Sequence, residues 1–600
     1  MKQLAIHQLA ILALSGLMFF LNLGGPELFD EDEPKNAGCG VEMLERGDWI
    51  VPVFNGHLRP EKPVFLYWVM ILAYNLFGIN EFAARAGSAF LAMGTVLMVY
   101  HLGRILFDAK TGLWSSIILC STLMYTALAR AATPDATLIF FTTGSMLAFV
   151  WGVSKTGLWQ GVQKVESSST YPWKLWVPQG ILVYFIMFAA MSCAVLTKGP
   201  IGVLLPSCVV GFFVLNCGYH WKCTEGLIEK PQTYLERLLS IVQWYFSPRS
   251  LWEATFSLRP FILVLCLSCI ALPWYIAVSL RTDGAWLSGF LGTHNVGRFL
   301  EPMENHQGPV FYYAITILLG FGPWSLFLIG AIGSFYQQLK SNHEKYHSFM
   351  FVASWVSVWF IFFSLAATKL PNYIVPIYPS LALGTGWYLK NALTDMSEKM
   401  VWSVRWSPAA YLLLGSTLVI ALPVASYFFL PQAMLIGLVG VVPILGGITL
   451  LFALNHHQER IFTILATTAV VFTFGMLGIV ADVVSKYQNA PSLGKLTWEN
   501  QIQKLPLATY HYSSPNLVFY SQKPVFHLQT KEAISEYFQQ NPQGILVTRD
   551  DRLEEIQAFL PEDVEVKDQQ KRFLRRHELV VLSKSLTPEM ATLPEQSNLK

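Results

Sequence analysis

Charge is what this chain has least of. Only 13% of its 600 residues are Asp, Glu, Lys or Arg, against about 25% in ordinary soluble domains. With 53% hydrophobic and 14% aromatic residues and a mean hydropathy of +0.42, a soluble globule is excluded. The net charge of +2 gives no electrostatic footprint for a nucleic-acid partner. Cysteine is sparse and scattered: Cys120, Cys193, Cys208, Cys266 and Cys269 fall inside apolar runs and read as small buried hydrophobes. No spacing suggests a disulfide framework or a metal knuckle. Glycine patterns of the Walker or Rossmann kind are missing, as are a Ser-His-Asp signature and a thiol nucleophile.

What is present is a series of long apolar runs, which predicts a polytopic α-helical membrane protein with about 13 spans. They fall near 9–23, 82–103, 111–130, 136–153, 178–197, 201–217, 259–280, 311–336, 348–367, 374–390, 408–430, 433–453 and 461–481. The first reads as a retained helix rather than a cleaved signal, with one Lys before it and no small-x-small site after it. The loop from 24 to 80 holds an amphipathic piece, 63–77, that is short for a span and suits the interface. The membrane domain is thus expected over 1–485. A different material follows over 486–600: strand-like stretches at 507–512, 544–548 and 579–582 alternate with helical ones at 531–540 and 552–560, which predicts a small α/β domain.

Lys and Arg in the short loops set the orientation. Their distribution predicts a cytoplasmic N-terminus, with the loop 24–80 and the C-terminal domain on the far side of an inner or plasma membrane. The densest acidic cluster, Asp30-Glu31-Asp32-Glu33, then lies at that outer face. Glu61, Lys62, Arg85, Asp135, Lys198, His294, Arg298, His306, Lys369 and Tyr373 lie there too. Taken singly, each is explained as a solvated loop group, an interfacial anchor or a snorkelling cation. Their gathering on one side of separately placed helices points to a shared site. Carboxylates serve as general bases on a hydroxyl, and Lys and Arg hold a phosphate as it leaves. Nucleotides are scarce outside the cytoplasm, so a lipid is the economical phosphate carrier. The residues thus suggest transfer of a group from a lipid phosphate to an acceptor, with inversion by direct displacement. A transporter or flippase of lipid-linked sugars is the alternative. It would call for polar groups at midplane in broken helices, whereas these cluster at span ends.

The motifs also resemble a known family. Asp32-Glu33-Pro34-Lys35-Asn36, Glu42-Met43-Leu44, Gly47-Asp48-Trp49, Asn55-Gly56 and Glu61-Lys62-Pro63 are similar to the first loop of lipid-linked-sugar glycosyltransferases of the GT-C fold. The branch is that of the lipid A aminoarabinose transferases and the protein O-mannosyltransferases. The likeness continues through Arg85, Pro134-Asp135, Lys198-Gly199-Pro200, Asn295 to Phe299, and Lys369-Leu370-Pro371-Asn372-Tyr373, covering roughly the first 390 residues. It implies a GT-C fold and a polyprenyl-phosphate-linked sugar donor, with a lipid or protein acceptor. It casts Asp32 as the base, with Glu33 beside it and Asp135 as a second acid. Lys62, Arg298 and Tyr373 match phosphate-holding positions, and Lys35, Arg85 and Lys369 are cations at the same face that suit that duty. Lys35 stands where the family often has Arg, Asn36 where it often has an aromatic residue, and Cys39 where an acid is usual. The implied reaction requires no cofactor. His57, Glu61, His294 and His306 are donor types of a zinc-like, structural site, with ordinary loop histidines the simpler account.

Overall fold

The computed structural model describes residues 2–29, 31–160, 173–224, 233–302, 306–341, 344–394, 402–456, 458–486, 505–571 and 576–584. Asp30 lies outside them.

Ten helices among the described residues are long and apolar enough to cross a membrane, or up to 12 if two sharply bent pairs each count as one. The chain is thus an integral membrane protein with a helical body. Ala109–Cys120 and Leu123–Ala129 meet at 71°, and Tyr312–Gly320 and Trp324–Lys340 at 116°. The first break has a tertiary cause. Leu123 N–H leaves the helical ladder for the Gly322 carbonyl at 3.0 Å, which ties the two bends together. The second break follows Gly320-Phe321-Gly322-Pro323, a run that removes a backbone donor and weakens the helix. The expected run at 374–390 is a short 3₁₀ turn, Pro371–Ile377, feeding the 17-residue helix Tyr378–Thr394. It is a little short of the roughly 20 residues a span requires. Its small-residue face packs tightly: a Cβ on Gly386 would lie within van der Waals overlap of Ser115.

Polar side chains hold ends of the helices in register. Arg130 reaches back to the first helix, Lys2–Phe20, and donates to the carbonyls of Met18, Leu21 and Asn22 at 3.0, 2.9 and 3.1 Å. These are the orphan acceptors any helix end leaves. Asn80 caps Glu81–Leu106 through Ala83 N–H at 2.8 Å. The loop between the first two long helices is built on Asp32–Glu45, a hairpin of β1 (Val53–Phe54) and β2 (His57–Leu58), and the short apolar helix Phe65–Phe77.

The C-terminal domain is one five-stranded sheet in the order β4-β3-β5-β7-β6. Its strands are β3 (Leu507–Tyr510), β4 (Val525–Leu528), β5 (Ile545–Arg549), β6 (Val564–Gln570) and β7 (Leu579–Lys584). The first three are parallel, joined through helices Pro515–Ser521 and Glu532–Gln540, and the last two add antiparallel. Alternate residues of β3 and β5 serve opposite faces: Ala508 and Leu546 pack with Ile534 and Phe538, Leu507 and Ile545 with Leu517 and Val525. This is the period-two logic of a sheet covered on both sides.

The domain is bound to the first loop. Asn55 pairs both backbone groups of Val525, donating to its carbonyl at 2.9 Å and accepting its N–H at 2.8 Å, and so occupies the edge of β4. Tyr520 Oη accepts Leu28 N–H at 2.9 Å and donates to Glu81 at 3.1 Å. Nearby, Asn22 donates to the Gly478 carbonyl at 3.0 Å, and Glu27 N–H to Ser485 Oγ at 3.3 Å.

Candidate functional site

Asp32 opens the helix Asp32–Glu45, where a carboxylate complements the positive end of the backbone dipole, and it is exposed. The next residue behaves oppositely. Glu33 is buried and its two oxygens accept four hydrogen bonds, from Arg85 Nε at 2.8 Å, Arg85 Nη2 at 2.7 Å, Phe29 N–H at 2.7 Å and Ala132 N–H at 2.7 Å. Arg85 in turn spends its remaining donors on the carbonyls of Leu23, Pro26 and Glu27. All five guanidinium N–H groups are engaged. Arg85 therefore has no donor to offer a phosphate, and the expected phosphate role is replaced by a structural one. Glu33 likewise is a clamp that fixes the loop to residues 132 and 85, which corrects the expectation of a reacting acid. Asn36, one turn on, donates to the Ala132 carbonyl at 3.0 Å and accepts from buried Arg59 at 3.1 Å. Arg59 also reaches Tyr67 Oη at 3.1 Å and Glu61 at 3.0 Å.

That clamp sets Asp32 within electrostatic reach of Lys62, which belongs to a second group of residues. Asp135 begins the helix Pro134–Ser154 and is 4% exposed. Its Oδ1 pairs with Lys198 Nζ at 2.5 Å, and its Oδ2 accepts from Asn372 Nδ2 at 3.0 Å. Lys198 Nζ sits 4.9 Å from the centre of the Tyr373 ring, and Tyr373 Oη accepts from Arg298 Nη1 at 3.2 Å. Arg298 is held by its own backbone: its carbonyl accepts Thr368 N–H at 3.1 Å, while the carbonyl of Phe299 accepts Ala367 N–H at 3.0 Å. Lys62 completes the set. It is half-buried, and desolvation pushes its pKa down to about 8, with Asp32 and Asp135 pulling the other way and Lys198 and Arg298 adding repulsion.

Lys62, Lys198, Arg298 and Tyr373 line a cavity of about 350 Å³ whose remaining wall is mainly apolar, with Leu204, Phe290 and Phe362 among its residues. Gly199 makes the turn between Ile181–Lys198 and Ile201–Thr224 with φ +78°. A Cβ there would lie 2.5 Å from the Phe290 ring, so the wall closes only against glycine.

Of the other expected site residues, Glu61 and His294 also line this cavity, and the rest lie elsewhere. Lys35 pairs with exposed Glu31 at 2.8 Å on the helix surface. Lys369 directs its ammonium into the end of the helix Tyr346–Leu365, donating to the carbonyls of Phe363, Ser364 and Ala366 at 3.4, 2.9 and 2.9 Å. Its three donors are thus taken, and burial lowers its pKa. It caps a helix rather than facing the cavity, which corrects the expected phosphate contact. His57, Glu61, His294 and His306 do not form a group of three with converging ligand atoms; Glu61 is on Arg59. Among the described residues one such group exists, Asp550, Asp551 and His577 in the C-terminal domain, and there Arg549 already holds Asp551. Arg59 and Arg130 lie outside the sequence-based set. Both stand close to its motifs, but nothing local announces that Arg59 joins Asn36, Tyr67 and Glu61, or that Arg130 binds carbonyls at the end of the first helix.

Comparison with known proteins agrees with this architecture. Residues 61–162 match the family model described as dolichyl-phosphate-mannose-protein mannosyltransferase. The crystal structure of ArnT from Cupriavidus metallidurans in the apo state superposes with a TM-score of 0.72 at 19% identity, covering 96% of this chain and 97% of that one. The same protein bound to undecaprenyl phosphate gives 0.70 at 20% identity, with the same coverage. The chain resembles the lipid-linked-sugar glycosyltransferases of the GT-C fold.

Two relatives by sequence bracket that likeness. An uncharacterized protein of Aquifex aeolicus is 27% identical over 521 residues, 86% of this chain and 87% of that protein. The undecaprenyl phosphate-alpha-4-amino-4-deoxy-L-arabinose arabinosyl transferase of Photorhabdus laumondii is 28% identical over 368 residues, 61% of this chain. The chain spans 56% of the length of that transferase and 59% of its Yersinia counterparts.

Proposed function

We propose that the protein is an inverting glycosyltransferase that moves a sugar from a polyprenyl-phosphate carrier to a lipid or protein acceptor. Its site and C-terminal domain would face the extracytoplasmic side, with the N-terminus in the cytoplasm. One observation carries the reading: Lys62, Lys198, Arg298 and Tyr373 converge in one mainly apolar cavity, and exposed Asp32 lies within electrostatic reach of Lys62. An apolar wall suits an isoprenoid, and the cations suit the phosphate at its head. The similarity to the arabinosyl transferases and to the mannosyltransferase family model supports the same donor class.

The chemistry then follows from position. Asp32 takes the proton from an acceptor hydroxyl as its oxygen attacks the anomeric carbon. The bond from that carbon to the phosphate oxygen breaks, and the electron pair leaves on the polyprenyl phosphate. Lys62 and Arg298 stabilise the charge that grows there, in a partly desolvated pocket where such contacts are strong. An acceptor already ionised, such as a phosphate, would need no base. The displacement as written draws on no cofactor.

The test is direct. Purified protein given a radiolabelled polyprenyl-phosphate sugar and an acceptor lipid or peptide should transfer label with no nucleotide present. Transfer from a nucleotide sugar with no lipid carrier would overturn the reading.

A further inference from the structure

The 3₁₀ turn Pro371–Ile377 touches both halves of the site through adjacent residues. Tyr373 accepts from Arg298 and lies under Lys198, while Asn372 reaches the far oxygen of Asp135. With Lys198 on Oδ1 at 2.5 Å and Asn372 on Oδ2 at 3.0 Å, both oxygens of Asp135 are occupied. A carboxylate so engaged is poised to hold a cation and poorly poised to remove a proton from an acceptor.

Resting on the glycosyl-transfer reading, we propose that Asn372 is a positioning residue for donor binding. Its amide fixes Asp135 as a counter-ion that aims Lys198 at the lipid phosphate, so that Asp135 is not a second base.

The geometry gives the amide a specific task. A carboxylate free at one oxygen would swing to take Lys198 with both, drawing the ammonium out of the cavity wall. Asn372 prevents that by occupying the second oxygen with a donor that carries no charge. The charged groups facing Asp135 are Lys198 and Lys62, with Arg298 and Asp32 beyond them across Lys62. Lys369, though three residues from Asn372, points its ammonium at carbonyls of its own helix end. The balance around Asp135 is therefore cationic, and a donor phosphate completes it.

Asn372→Asp keeps the shape and replaces the donor by an acceptor. Two carboxylates at hydrogen-bond distance do not both ionise readily; they share a proton. Binding of undecaprenyl phosphate, followed by tryptophan fluorescence in detergent from pH 5.5 to 8.5, is the readout. The variant should bind about 10- to 100-fold more weakly than wild type at pH 8, the range set by a hydrogen bond to a charged group. Its deficit relative to wild type should shrink as the pH falls and the shared proton restores a donor, over and above the gain that protonation of Lys62 gives both proteins. Asn372→Ser, which retains a donor, should stay closer to wild type than Asn372→Leu. In turnover, the loss should appear in KM for the donor more than in kcat. Equal losses for Asn372→Ser and Asn372→Leu, or a pH-independent loss in Asn372→Asp, would overturn the proposal. If Asn372→Asp does not fold, the Ser and Leu variants decide alone. Failure of wild-type protein to bind the lipid phosphate would instead overturn the glycosyl-transfer reading.

Discussion

Replacing Glu33 by leucine should destabilise the protein by about 3–5 kcal/mol, the cost of removing one partner of a buried ion pair. The pair qualifies, since the Arg85 and Glu33 side chains are 4% and 7% exposed. The loss strands two Arg85 donors together with the N–H groups of Phe29 and Ala132, all of which end on this one carboxylate. Glu33→Gln, which keeps one acceptor oxygen, should fall between. The double variant Glu33→Leu/Arg85→Leu should recover part of the loss by removing the stranded charge. Recovery will be incomplete, because the carbonyls of Leu23, Pro26 and Glu27 then lack their donor. Equilibrium unfolding in mixed detergent micelles, read by tryptophan fluorescence, measures each step, with transfer assayed well below the transition. A Glu33→Leu protein within about 1 kcal/mol of wild type, less than a single buried hydrogen bond to a charge is worth, would refute the clamp. So would a Glu33→Gln protein of full stability and no transfer, because Glu33 would then belong to the chemistry.

Three further outcomes are expected. Asp32→Asn should lower transfer to a hydroxyl acceptor by about 10²- to 10⁴-fold while polyprenyl-phosphate binding and folding persist; near-normal turnover at matched expression would dismiss Asp32 as base. Lys62 holds phosphate only as a cation, and its pKa lies near 8 rather than 10.5, so affinity for the lipid phosphate should fall as pH rises through about 8. Lys62→Arg, which stays charged, should flatten that dependence, and an unchanged profile would place Lys62 outside the phosphate contact. Removing the chain from about residue 490 should weaken the first loop, raising its hydrogen exchange around residues 28 and 55, with some donor chemistry surviving. Complete loss of donor binding in a folded truncation would mean that the C-terminal domain completes the site.

Much of the fold was legible because apolar length is a local property. The runs at 136–153, 178–197 and 201–217 fall on the helices Pro134–Ser154, Ile181–Lys198 and Ile201–Thr224. The break at Cys120 to Leu123 was not legible, since its cause is a carbonyl some 200 residues away in another bent segment. In the C-terminal domain β3, β5 and β7 stand out by their apolar content and β6 does not, while β4, Val-Phe-His-Leu, is apolar but only four residues long. Both are the sheet's edges, and β6, Val-Glu-Val-Lys-Asp-Gln-Gln, carries the polar residues that disguise an edge strand. The site divides the same way. Residue type marked the cations and acids at span ends, but type does not say which of them neutralise each other. Glu33 and Arg85 are 52 residues apart and Asp135 and Asn372 are 237. Lys369 and Lys198 looked alike in sequence; one caps a helix and the other lines the cavity.

The ties between the first loop and the end of the chain bear on how the protein is made. Asn22, Glu27, Leu28 and Asn55 find their partners at Gly478, Ser485, Tyr520 and Val525. During synthesis these partners emerge last, after nearly all the membrane helices have been threaded. Until then the segment bearing Asp32 is moored to residues 85 and 132, and its loop to Trp274, Arg281 and Trp286, without the ties to the later partners. Such long-range closure is slow to form. A ribosome that stalls before residue 520 would therefore leave a protein with its helices inserted, its cations gathered and its loop unlatched. Docking of β4 onto Asn55 is thus the event that latches the first loop.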